Sequence, residues 1–370
     1  MALLQKVVLR GFKSIRDMTL ELRPLNILIG ANGSGKSNLV LFFKMLNEMM
    51  GGRLQQFIAT SGRAQSLLYF GPKDTPQVEG MVEFATESEV YQYLMQLSYT
   101  PGDTLVFTDE TLRYPPNINP RPARLFSVMG AHPEAGISDE ANRGNDLAKT
   151  LGCLLDNCRV YHFHDTSTTA RVRQYCYLGD NRRLASDAGN LAAVLYRLKS
   201  WNGGTAYHRI VKTIQMIAPF FGGFELDPSP DNARDIMLNW RHVDSSQIFG
   251  PHQLSDGTLR AICLVTLLMQ PEEELPSLII VDEPELGLHP YALNIVASLV
   301  NKASHHAQIL VSTQSGAFLD SFSPEDVVVV GRDDKESTFG RLSADQLETW
   351  LEEYSLGEIW EKNVFQGGPH

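Results

Sequence analysis

The stretch Gly30-Ala-Asn-Gly-Ser-Gly-Lys-Ser37 decides the fold. It follows an apolar run, Leu25-Asn-Ile-Leu-Ile29. It precedes Asn38-Leu-Val-Leu-Phe-Phe-Lys-Met-Leu46, whose pattern predicts a helix. Strand, glycine-rich loop and helix are the setting in which G-x-x-x-x-G-K-S binds phosphate. Glycines let the loop wrap an anion closely, because they take backbone angles that other residues avoid. Backbone amides and the positive end of the following helix then face that anion. Lys36 is placed to reach the β- and γ-phosphates of a nucleotide, and Ser37 to offer its hydroxyl to Mg²⁺. Asn32, Gly33, Ser34, Gly35, Lys36, Ser37 and Asn38 are the candidate nucleotide-binding residues, with ATP and Mg²⁺ as the expected cofactors.

Composition sets outer bounds. A chain of 370 residues that is 43% hydrophobic and 20% charged buries a substantial core. A net charge of −11 excludes a globally basic nucleic-acid binder, so any such contact needs a local patch. No apolar run reaches membrane-spanning length, and the first residues read as a strand rather than a signal peptide. The expectation is a cytoplasmic protein with no membrane partner. Four cysteines in this length fit reduced thiols.

The chain then falls into three parts. Residues 3–29 read as short strands, 53–76 as polar and irregular, and 78–114 as an antiparallel sheet. The proline-rich segment 115–144 reads as one long loop. Residues 145–220 read as mainly helical: Leu191, Val194, Leu195 and Leu198 form one apolar face, and Ile210, Val211, Ile214 and Ile217 another. Strand patterns return over 222–250.

The last third completes a nucleotide site. Leu278-Ile-Ile-Val-Asp-Glu283 is a buried-strand run ending in two acids, the Walker B pattern. Asp282 is expected to hold Mg²⁺ and Glu283 to orient the attacking water. Leu254-Ser-Asp-Gly-Thr-Leu-Arg260 precedes a helical run and resembles the Leu-Ser-Gly-Gly-Gln signature of the ABC ATPase superfamily. The resemblance implies that Ser255 and Gly257 touch the γ-phosphate bound by a second subunit. Asp256 stands where that signature has a glycine. Pro284-Glu-Leu-Gly-Leu-His-Pro290 resembles the D-loop of the RecF, SMC and OLD branch, which implies that His289 shapes the subunit interface. In that family a histidine ends the strand that corresponds to Gln308-Ile-Leu-Val-Ser-Thr-Gln-Ser315. Gln314 takes its place here. Glutamine donates a hydrogen bond but carries no proton charge, which predicts slow hydrolysis.

The motifs cover residues 25–46 and 254–330, and the chain resembles the stand-alone RecF-like AAA-family ATPases of bacteria, relatives of the OLD proteins. The fold class implied is an α/β P-loop NTPase: an ABC-type ATPase head with a mixed sheet, an antiparallel β subdomain and a helical insertion. One domain is expected over 1–370, with a lobe at 1–144, an insertion at 145–250 and a second lobe at 251–370. Val327-Val-Val-Val330 is the expected last core strand, and Leu347, Trp350, Leu351 and Tyr354 a closing helix. Two copies are expected to sandwich two ATP molecules. The function implied is a regulatory ATPase for a separately encoded effector in prokaryotic defence. The alternative is a DNA-clamping ATPase of repair or chromosome maintenance.

Between Arg159 and Lys212 stand nine Lys or Arg and three Asp, a local excess of +6 that is the candidate DNA surface. Charge alone equally describes a solvated helical face. Tyr161-His-Phe-His-Asp-Thr-Ser167 invites a metal reading through His162, His164 and the nearby cysteines, but lacks the close pairing of zinc sites. A place at the nucleotide, where the family has its Q-loop, fits better. OLD proteins carry a Toprim nuclease after the ATPase. Only about 40 residues follow Val330 here, so nuclease action is expected from another polypeptide. A transporter-coupling role fits neither the large 78–250 insertion nor the Leu-His-Pro loop.

Overall fold

The structure is a computed structural model that describes residues 2–114, 124–128 and 130–364. The chain divides into two compact units. The first comprises Met1–Val160, Pro276–Ile280 and Gln308–His370, the second Tyr161–Leu275 and Val281–Ala307.

Two six-stranded sheets organise the first unit. One is antiparallel, in the order Ile15–Glu21, Leu3–Phe12, Gln77–Ala85, Val90–Thr100, Thr104–Tyr114 and Arg124–Ser127. The strand Gln77–Ala85 alternates buried and half-buried residues, as expected where one face covers a core. The other sheet has the order Glu336–Arg341, Val327–Asp333, Leu25–Ile29, Gln308–Thr313, Leu278–Asp282 and Cys158–Tyr161. Every residue of Leu25–Ile29 and Gln308–Thr313 is buried. These two strands are parallel, as is Val327–Asp333 with Leu25–Ile29. Continuous apolar runs covered on both faces are what a parallel sheet requires. The helix Lys36–Met50 buries Leu39, Val40, Phe42, Phe43, Met45, Leu46 and Met49. Phe42 meets Phe12 edge-to-face, with ring centroids 6.1 Å apart.

Glu110 on Thr104–Tyr114 is fully buried and accepts from Tyr93 Oη at 2.9 Å, Gly136 N at 2.8 Å and Ile137 N at 3.2 Å. Burial pushes its carboxyl up from the ordinary range, against the pull of those donors. The second unit holds the helices Leu191–Ser200, Thr205–Ile217, Asp256–Leu268 and Pro290–Ala303, the sheet Phe221–Glu225, Asn239–His242 and Ile248–Phe249, and the pair Cys176–Tyr177 with Asp235–Ile236. All four cysteines are free thiols, and burial pushes Cys158 and Cys263 up to about 12. Among the described residues no helix is long and apolar enough to cross a membrane.

Several local expectations need correction. The irregular segment 53–76 contains the helices Leu54–Thr60 and Arg63–Leu67. Seven and five residues are too short to show a repeated apolar period. Within the antiparallel sheet expected over 78–114, Thr104–Tyr114 is one strand that shifts register against Val90–Thr100. Of the loop 115–144, residues 115–123 and 129 lie outside the described residues, while Arg124–Ser127 is a strand and Ile137–Asn142 a helix. The sheet does not end with Val327–Val330. Asp334, at φ 48°, turns the chain into a hairpin with Glu336–Arg341. The closing segment forms two helices, Ala344–Leu351 and Leu356–Glu361.

Candidate active site

The loop Gly30–Ser37 joins the central strand Leu25–Ile29 to the helix Lys36–Met50. Two close approaches and two backbone angles explain its glycines. A Cβ at Gly30 would stand 2.2 Å from the Val330 carbonyl oxygen. Gly33 and Gly35 sit at φ 79° and 118°, where a side chain is strained, and a Cβ at Gly35 would stand 2.1 Å from Ser337 Oγ. Lys36 opens the helix, 4% exposed, and its Nζ donates to the carbonyls of Gly30 and Ala31 at 2.5 and 3.1 Å. Ser37 and Asn32 are exposed on the same loop. Ser34 is 5% exposed, and its Oγ is a buried hydroxyl with no partner. A cradle that only glycines can line, with an unpaired hydroxyl inside, suits a ligand rich in acceptor oxygens.

The loop is braced from outside by a chain of hydroxyls with no sequence motif. Asn38 Nδ2 donates to Ser14 Oγ at 2.6 Å, and Ser14 Oγ pairs with Ser337 Oγ at 2.6 Å. Ser337 Oγ also lies 2.5 Å from the Ser34 carbonyl oxygen. Ser337 is 3% exposed and comes from the hairpin strand that sequence reasoning missed. Ser337→Ala leaves the Ser34 carbonyl without its donor and the Ser14 hydroxyl without its acceptor, a loss of roughly 1 kcal/mol per hydrogen bond. We expect Mg-ATP affinity to fall about three- to tenfold in a fluorescent-nucleotide titration. A lowered Tm with unchanged affinity would reduce Ser337 to a packing role.

The strand Gln308–Thr313 pairs with Leu25–Ile29 through Thr313 and Ile29, so Gln314 and Gly30 leave the sheet at one level. At the opposite ends, Gln308 N donates to Ser277 O at 2.9 Å and Ile309 N to Pro24 O at 2.8 Å. The apolar strand Leu278–Asp282 therefore starts level with these two. Asp282 closes that strand, and Glu283 follows at φ 44°, in the left-handed region. Leu286 N donates to Glu283 O at 3.2 Å, closing a turn.

In the second unit the signature residues cap a helix. Ser255 is the exposed N-cap of Asp256–Leu268, its Oγ accepting from Thr258 N at 3.2 Å. A Cβ on Gly257 would stand 2.3 Å from the Gly287 carbonyl oxygen, so this position admits only glycine beside the D-loop. Arg260 donates to Leu286 O at 3.2 Å, Phe163 O at 3.2 Å and His164 O at 2.9 Å. His164 Nε2 pairs with Asp282 O at 2.8 Å. Signature, D-loop, Asp282 and Glu283 thus share one network.

The comparisons bear on the fold. The family model described as "AAA domain, putative AbiEii toxin, Type IV TA system" matches residues 195–320, which hold the signature, Asp282, Glu283 and Gln314. The Old nuclease of Escherichia phage P2 is 22% identical over 385 residues, covering 93% of this chain; the chain spans 62% of that relative's length. An SMC head bound to the C-winged helix domain of ScpA has a TM-score of 0.61 at 14% identity, covering 95% of this chain and 99% of that one. The fold is that of an ABC-type ATPase head of the SMC kind. An SMC head with an extended coiled coil, bound to the C-terminal domain of ScpA derived from Pyrococcus furiosus, has a TM-score of 0.59 at 15% identity, again covering 95% and 99% of the two chains. These likenesses show the ABC-type head fold.

The structure also locates the other residues singled out in the sequence of this ABC-type head. His289 N-caps the helix Pro290–Ala303, its Nδ1 accepting from Tyr291 N at 3.3 Å. His162 and His164 lie beyond the strand Cys158–Tyr161, with ring centroids 6.2 Å apart. Among the described residues no three His, Cys, Asp or Glu gather as a metal site. The basic stretch is not a free cationic face. Arg159 pairs with Asp156, Arg171 with Asp187, Arg173 with Asp256 and Arg197 with Glu274. Three of those carboxylates lie outside the stretch, so counting charges within it overstates the excess.

Proposed function

We propose that this chain is a Mg-dependent ATP-binding and hydrolysing switch that closes as an ATP-sandwich homodimer and controls a separately encoded effector in a prokaryotic defence system. The observation that carries the reading is the phosphate cradle: glycines at φ 79° and 118° beside a buried, unpaired Ser34 hydroxyl. Hard oxygen donors, the Ser37 hydroxyl and the Asp282 carboxylate, suit Mg²⁺, which binds few protein ligands and completes its shell with phosphate and water. When bound, Mg²⁺ neutralises the charge on the β- and γ-phosphates.

The chain's own residues supply the rest. Lys36 exchanges the carbonyls of Gly30 and Ala31 for phosphate oxygens, and the loop amides from Asn32 to Asn38 surround them. The Glu283 carboxylate accepts a hydrogen bond from water and orients it for attack. Gln314 donates to the γ-phosphate without moving a proton. Ser255 and the amide of Gly257 come from the second copy, at the positive end of their helix. The toxin-system description of the matching family model supports the defence setting.

Mg-ATP is expected to double the sedimenting mass from 41.3 kDa, and the effector to co-purify in fixed ratio. A chain that stays single at saturating Mg-ATP, with its natural companion supplied, overturns the reading. The DNA alternative has its own readout. Each phosphate contact makes affinity fall about 0.9 log units per decade of salt. Because Arg173 is buried, the charge reversals that test this are Arg182, Arg183 and Lys199, which are exposed.

A further inference from the structure

We infer that Arg173 and Asp256 form a positioning pair that fixes the signature loop for the phosphate held by a second copy of the chain. This rests on the sandwich reading above. Arg173 ends a 3₁₀ turn, Arg171–Arg173, and its side chain is 5% exposed. Its Nε donates to Thr166 O at 2.8 Å. Its Nη1 donates to the carbonyls of Pro251 and, at 3.2 Å, Leu254. Its Nη2 donates to Asp256 Oδ1 at 2.8 Å. Leu254 and Asp256 flank Ser255, so one buried guanidinium grips the backbone before that serine and the side chain after it.

Ser255 is exposed while both neighbours are anchored. Its hydroxyl, held by Thr258 N at 3.2 Å and Thr258 Oγ1 at 2.8 Å on an anchored backbone, is fixed in place, which preorganised recognition of a partner's phosphate needs. The pair also settles a charge conflict. A carboxylate beside an incoming γ-phosphate repels it, whereas the Arg173–Asp256 pair is neutral as a unit. The glycine found at this place in the related signature needs no such partner. Asp256 and a buried arginine therefore make sense only together. The Asp256 side chain is 63% exposed, so replacing it removes the pair without opening the core.

The test compares Asp256→Gly, Asp256→Asn, Arg173→Met and the double variant Arg173→Met/Asp256→Gly in the full chain. Per-chain Mg-ATP affinity, ATP-dependent mass and kcat are read for each. Asp256→Gly and Asp256→Asn are expected to keep affinity while kcat and dimer formation fall about three- to tenfold. Arg173→Met, which leaves the carboxylate unneutralised, is expected to lose about thirtyfold or more. The double variant is expected to recover at least about threefold over Arg173→Met. An arginine that only ties down carbonyls would give no such recovery, and that result overturns the pairing. Wild-type kcat and dimer formation in both Asp256 variants overturn it as well, even if Arg173→Met fails to fold. Wild-type protein that binds Mg-ATP but never gains mass removes the sandwich reading, and this inference with it.

Discussion

Lys36→Ala is expected to lose Mg-ATP binding by roughly 10² or more, the largest effect of any single change in the phosphate loop. A charge-assisted hydrogen bond contributes about 1.5–3 kcal/mol, and each 1.4 kcal/mol is tenfold in affinity. Reach to two phosphates puts the combined loss at the upper end of that range. The substitution also has a structural cost. Lys36 is 4% exposed, and its departure leaves the carbonyls of Gly30 and Ala31 without their donor. Lys36→Met also removes the ammonium donor but keeps most of the buried stem, so it separates the loss of the charged donor from the loss of packing. Isothermal titration with Mg-ATP and thermal unfolding should be measured on both variants. Binding lost in both, with stability lost mainly in Lys36→Ala, is the expected pattern. Retained binding in Lys36→Met would mean that the backbone amides alone hold the triphosphate.

The phosphate loop was legible because its chemistry is local. Glycine spacing, a lysine at the helix start and an apolar run before the loop are all properties of adjacent residues. The brace behind it was not legible. Ser14 and Ser337 are 323 positions apart and carry no pattern; only the hairpin Val327–Asp333 to Glu336–Arg341 brings them together. The same holds for Arg173. In sequence it is one cation in a basic stretch, and its role depends on a contact 83 positions away. Charge counting treated that stretch as a surface because it cannot see carboxylates arriving from elsewhere. Asp256 illustrates the reverse case. It stood out at once as a departure from the signature, but its reason lay in Arg173. The short helices of 53–76 were lost for another reason: Leu54, Phe57 and Ile58 bury one turn's worth of apolar surface, too little to declare a period.

Glu283→Gln is expected to lower turnover by about 10²–10⁴ while leaving Mg-ATP binding intact, so that nucleotide-bound dimers accumulate. The amide keeps the size and backbone of the glutamate but cannot accept a proton or carry the charge that polarises water. Geometry adds a second handle. Glu283 sits at φ 44°, where a residue with a Cβ is strained by about 1–2 kcal/mol. Glutamine inherits that strain, whereas Glu283→Gly relieves it. Glu283→Gly should therefore be the more stable of the two variants in thermal unfolding and equally inactive. Such a split would mark position 283 as one where stability is given up for a carboxylate in a fixed place. Turnover at the wild-type rate in Glu283→Gln would move the water-orienting role to another residue. Equal stability of the two variants would show that the turn closed by Leu286 N and Glu283 O, not the side chain, sets the backbone there.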